Sequence, residues 1–118
     1  MSAERDRESI GLTPESILVM EKLSAELGWF SEGQDAARTA LAYALRHGIG
    51  VGTSLNTETR WSAGQFDKTG EIRPLLAALF PECATPVREM EFLVNEGFRL
   101  IGERLAHGGL TPVDLITE

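Results

Sequence analysis

The chain has 118 residues, 42% of them hydrophobic and 25% charged, with a net charge of −7. That size supports one domain around a single core. No stretch is apolar for long enough to cross a membrane, Met1–Arg7 lacks the apolar segment of a signal peptide, and the lone Cys83 excludes an internal disulfide, so a cytoplasmic protein is expected.

The acidic balance weighs against strong nonspecific DNA binding, whose affinity comes largely from neutralisation of phosphates by Lys and Arg. Up to Gly50 there are five basic and eight acidic residues, so this half is net −3 on its own. A local basic patch remains compatible with such a total.

In chain order the first element is a short alternating run, Arg5–Leu12. Read as a strand, it turns Ile10 and Leu12 inward and Arg5, Arg7, Ser9 and Gly11 outward. The other reading is that Met1–Ser9 is a solvated, partly disordered tail. A helix is predicted over Pro14–Leu27: Thr13 is a good N-cap, Pro14 suits the first helical position and Gly28 supplies the terminating turn. Ile17, Met20, Leu23 and Leu27 recur at helical spacing. Val19 widens that stripe beyond what one helix covers, which implies a second chain. A second helix is predicted over Gln34–His47, with Ala37, Ala40, Leu41, Ala44 and Leu45 as its apolar face and Gly48 as its stop. Its small residues allow close approach by another helix.

The stretch His47–Ser54 has glycines at alternate positions. Phosphate loops follow a strand and open a helix, whereas this one comes after a helix, so it reads as a flexible exit turn. Residues Leu55–Phe66 have no helical period and read as a long loop or a small hairpin, with Thr57, Thr59 and Trp61 favouring extended structure. Arg60 beside Trp61 offers a stacking platform or an anchor for a partner protein. The plainer reading is that Trp61 caps the core.

A third helix is predicted over Glu71–Phe80, with Ile72, Leu75, Leu76 and Leu79 buried and Pro74 tolerated in the first turn. The fourth and longest begins at Pro86 with Thr85 as cap. Met90, Leu93, Val94, Gly97, Phe98, Ile101 and Leu105 mark its apolar side. Arg88, Glu89, Glu96, Arg99, Glu103 and Arg104 fill the other side, and Glu89 and Glu91 read as a solvated face. Gly97 on the apolar side predicts close approach by another helix, since a helical Gly otherwise costs about 1 kcal/mol against Ala. The tail Leu110–Glu118 docks through Leu110, Val113 and Leu115, or frays.

Leu12-Thr13-Pro14-Glu15, then Leu23, Leu27-Gly28 and Ala37-Arg38-Thr39-Ala40-Leu41, resemble the ribbon-helix-helix proteins. The resemblance covers roughly the first 48 residues. It implies a short strand followed by two helices, with residues 1–48 forming an intertwined homodimer through paired strands; with the two later helices the expected fold is mainly α, a short N-terminal strand and four helices. Residues 49–118 would be a loop and two-helix extension packed on that unit as one compact domain. The resemblance also implies duplex DNA as partner. Arg5, Arg7 and Ser9 would then read bases from the ribbon, and N–H groups around Ser31 and Gly33 would hold a phosphate. This chain departs from the pattern at Glu8, where an inward apolar residue is expected, and at Gly11, which has no side chain with which to read. A second likeness is to the small E-component of DNA phosphorothioation systems, which joins such a unit to further helices.

No catalytic set stands out. His47 and His107 lie at helix C-termini, where a protonated imidazole is favoured anyway. No spacing of His, Cys, Asp or Glu suggests a metal, and Cys83 lacks an activating neighbour. The expectation is therefore a non-enzymatic protein without metal or cofactor. It is a DNA-binding regulator or accessory protein or, alternatively, an interaction module for another protein, presenting the fourth helix or Arg60-Trp61.

Overall fold

A computed structural model of the chain describes residues 5–118. The first four residues of the tail considered above therefore lie outside the described residues. The elements run β1 (Ser9–Leu12), α1 (Pro14–Glu21), α2 (Gly33–Arg46), β2 (Glu58–Ser62), α3 (Ala63–Phe66), α4 (Ile72–Leu79), α5 (Pro86–His107) and α6 (Asp114–Thr117). The fold is mainly helical, as expected, but with a second strand and two short extra helices. No described helix is long and apolar enough to cross a membrane.

Thr13 caps α1 as predicted, its hydroxyl oxygen accepting from the Ser16 N–H at 3.1 Å. The helix does not stay regular to Leu27, however. Lys22–Glu26 widens into a π turn, and the Leu27 N–H donates to the Lys22 carbonyl at 2.9 Å. A π turn takes up an extra residue and so rotates the residues after it about the helix axis. Met20 and Leu23 stay buried, whereas Leu27, expected on the same face, is 39% exposed.

Helix α2 buries Ala37, Ala40, Leu41 and Ala44 as its period predicts. Helix α5 covers it and also packs against α1, α4 and β1. The apolar face of α2, and Met20 and Leu23 on the α1 stripe that pointed to a second chain, are thus covered from within the chain. Buried Met90, Leu93, Val94, Phe98 and Ile101 supply that cover. Gly97 makes the approach possible: a Cβ there would collide with the Ala40 carbonyl. Gly102 does the same for α1, because a Cβ there would lie 2.9 Å from a Val19 methyl.

The strand pairing is also internal. β1 and β2 run antiparallel, with Ser9 opposite Ser62, Ile10 opposite Trp61, Gly11 opposite Thr59 and Leu12 opposite Glu58. The register shifts between Ile10 and Gly11, leaving Arg60 as the extra residue of a bulge. The region expected as a loop or hairpin therefore holds a strand whose partner lies at the start of the chain. Ser62 and Gln65 then close a reciprocal capping box that starts α3.

The tail docks. Leu110 and Leu115 are buried, although Val113 stays exposed. The Tyr43 hydroxyl donates to Glu118 Oε1 at 2.8 Å, and Arg104 Nε donates to the same oxygen at 3.0 Å. Burial, reinforced by the Glu118 carboxylate, pushes the Tyr43 phenol up to about 12.

Gly97→Ala should destabilise the protein by roughly 2 kcal/mol or more, since backbone must move to admit the methyl. Gly64→Ala on α3, where a Cβ meets nothing within 4 Å, should be neutral or stabilising by up to about 1 kcal/mol. Urea unfolding of both variants measures the contrast.

Candidate functional site

Polar side chains are mostly solvated, so their burial at one place is informative. Here they gather at the N-terminal half of α5. Thr85, expected to cap this helix, makes no side-chain cap bond. The cap comes from Asp6 instead. Its carboxylate accepts from the Val87 N–H at 3.0 Å and the Arg88 N–H at 2.9 Å. A negative group at this end also suits the helix dipole.

The two glutamates expected on a solvated face are each only 1% exposed. Glu91 Oε2 accepts from the Gly11 N–H at 2.8 Å, and Oε1 pairs with the Arg7 guanidinium. Asn95, one turn on, accepts from the Thr13 N–H at 3.0 Å and donates to the Gly11 carbonyl at 3.1 Å. On the side of β1 away from β2, the Gly11 N–H and carbonyl are thereby satisfied by α5 side chains. Burial pushes the Glu91 carboxyl up, and the Gly11 N–H and Arg7 oppose that rise.

Glu89 Oε1 accepts from the Gly52 N–H at 3.1 Å, while Oε2 has no hydrogen-bond partner among the described residues. Burial pushes this carboxyl up to about 7, with the Gly52 N–H pulling the other way. The glycine-rich stretch has thus lost one N–H to a carboxylate. Gly52 also lies against the Phe92 ring, which a Cβ there would push aside.

Arg5, Arg7 and Ser9 do share one feature, a cleft of about 650 Å³ that Asp6, Glu8, Thr57, Thr59 and Glu91 also line. Arg7 faces into the protein, with further donations to Thr57 Oγ1 at 3.4 Å and the Ser54 carbonyl at 3.2 Å. The Arg5 carbonyl accepts from Arg88 at 2.9 Å. Gly11 is buried beneath Thr57 rather than turned outward: a Cβ there would lie 2.8 Å from Thr57 Cβ.

Ser31 and Gly33 do not line this cleft. Ser31 is exposed, and Gly33 packs where a Cβ would lie 2.8 Å from Met20 Sδ and 3.5 Å from the Trp61 ring. Arg60 is exposed, whereas Trp61 is half-buried with its ring 6.0 Å from that of Phe66. No cluster of three or more His, Cys, Asp or Glu suited to a metal occurs among the described residues.

A different surface emerges on α4. Asp67, itself 3% exposed, holds the start of this helix by accepting from the Ile72 N–H at 2.9 Å and the Arg73 N–H at 3.3 Å. Burial raises its carboxyl, but these donors and the Arg73 guanidinium together outweigh it and leave the group below its ordinary value. Of the four residues expected to be buried on this helix, only Leu76 is. Leu75 is 47% and Leu79 50% exposed, and Pro74, Ala77 and Ala78 are exposed with them. The helix meets the core along one line, with Leu76 buried and Ile72 and Phe80 half-buried against it. No family model, curated protein or solved structure matches this chain.

The buried acids have measurable effects on stability. The Glu89 carboxyl keeps its proton in the fold up to about pH 7 but loses it near its ordinary 4.5 when unfolded. The folded form therefore loses stability as pH rises through that window. Glu89→Gln should raise stability at pH 8 by on the order of 1–3 kcal/mol and change it little at pH 4.5, read from urea midpoints. Asp6→Ala should cost about 1–2 kcal/mol at pH 7 through loss of the α5 cap, with the first-turn amides of α5 showing faster hydrogen exchange.

Proposed function

We propose that this chain is a non-enzymatic protein-interaction module that seats a partner protein on the exposed apolar side of α4. The observation that carries the reading is the half-exposure of both Leu75 and Leu79, one turn apart, on a helix that buries only Leu76. A single exposed leucine is ordinary, but a contiguous apolar strip is the kind of surface partners cover. Fully burying a leucine is worth roughly 1.5–3 kcal/mol, and these two have about half of that left to gain. The partner must therefore bring an apolar helix or groove that also covers Ala78.

The acidic balance supports the same reading. The arginines of the leading segment stand beside Asp6, Glu8 and Glu91, and Arg7 is committed to Glu91. A phosphate would have to compete with a buried carboxylate for that guanidinium.

A second reading is a DNA-binding homodimer of the ribbon-helix-helix kind. It is favoured by one observation: Arg5, Arg7 and Ser9 line the same cleft. Its cost is specific. Pairing β1 with β1 of a second chain would require either β2 to leave β1 or the Glu91 and Asn95 side chains to release Gly11.

One experiment separates the two. Random duplex DNA is titrated in fluorescence anisotropy at low salt, and partner association in native extracts is followed by cross-linking with the wild type and with Leu75→Lys/Leu79→Lys. The interaction reading expects no DNA binding, and a cross-linked species that the double variant loses while keeping its melting temperature. DNA binding that weakens steeply with salt and disappears in Arg5→Ala/Arg7→Ala would instead establish the second reading.

A further inference from the structure

We infer that the outer edge of β2 pairs with the same edge of a second copy of this chain, antiparallel and centred on Thr59. This surface is separate from the α4 face. Of the two strands, β1 is the more occupied: β2 holds one side, and Glu91 and Asn95 hold the Gly11 N–H and carbonyl in the middle of the other. β2 has a partner on one side only. Glu58, Thr59 and Arg60 are all exposed, and the open run ends at Ser62, whose N–H is taken by Gln65 Oε1 at 3.2 Å. An exposed strand edge is a template for another strand.

The charges select both the occupant and the register. Neither Glu58 nor Arg60 has an ion-pair or hydrogen-bond partner for its side chain among the described residues. With the twofold axis at Thr59, Glu58 of each copy stands opposite Arg60 of the other, and Thr59 faces Thr59. Opposite charges and β-branched residues are both favourable directly across a strand pair. An axis at Arg60 sets arginine against arginine, and an axis at Glu58 sets glutamate against glutamate. Only the Thr59 register is self-complementary, as a twofold contact requires. The run is short and carries a bulge, and each chain is net −7, so the association is weak and shows itself only at high protein concentration.

The test is sedimentation equilibrium of the full chain over a wide concentration range. It compares wild type, Glu58→Arg, Arg60→Glu and an equimolar mixture of the two variants, with circular dichroism to verify folding. The wild type should show a monomer–dimer equilibrium. Each reversal places like charges across both pairs and should weaken dimerisation by about tenfold or more. The mixture should restore it, because both arginines of the Glu58→Arg chain then stand opposite the two glutamates of the Arg60→Glu chain. A wild type that stays monomeric at every concentration overturns the inference, as does a dimer indifferent to either reversal. A dimer lost instead in Leu75→Lys/Leu79→Lys assigns self-association to α4 and also overturns it.

Discussion

Gly11 sits in the middle of β1 with its N–H given to Glu91 at 2.8 Å and its carbonyl accepting from the Asn95 amide at 3.1 Å. A buried backbone group without a partner costs free energy comparable to a lost hydrogen bond. A two-stranded sheet inside a helical protein leaves such groups on the strand that faces inward. Here one turn of α5 supplies them, with a carboxylate and an amide spaced four residues apart so that both fall on the same face of the helix. Asn95 also holds the Thr13 N–H, so the same two side chains fix where the strand ends and α1 begins. The position of α1 and the cover over α2 depend on that anchorage.

Its consequences reach the surface. Helix α5 serves β1, α1 and α2 as well as α4, and Leu75 and Leu79 of α4 are left outside. Because Arg7 serves Glu91, a residue chemically suited to reading guanine is committed to a buried carboxylate. The arginines of the leading segment stand among carboxylates, while an apolar helix is left open elsewhere. This is why the interaction reading draws more support than the nucleic-acid one.

Much of the helical framework is legible in the sequence. Thr13-Pro14 marks the start of α1, Gly97 announces the close approach of another helix, and the apolar period of α5 names its core residues. What escapes are features written across long separations. The cap of α5 comes from Asp6, more than eighty residues upstream in the chain, and nothing near Thr85 hints at it. The partner of β2 is β1, which no local turn signal connects to it. Glu89 and Glu91 read as solvated because they fall beside the apolar stripe, yet that flank of the helix is where the strand needs acceptors. The π turn displaces Leu27 without any glycine or proline to mark it. For the candidate site, the residue types of the leading segment point to a group, and three of them do share a cleft. The direction of Arg7, however, depends on a carboxylate that pattern alone puts outside.

The central claim is that α5 side chains, rather than water or a second chain, satisfy the inner edge of β1. Native-state hydrogen exchange at the Gly11 and Thr13 amides, followed by NMR in dilute solution, measures this directly. Both protons should exchange only through large-scale unfolding, as slowly as the core amides of α5. Exchange at the rate of the exposed Leu55 loop, or protection that appears only as protein concentration rises, would contradict the account.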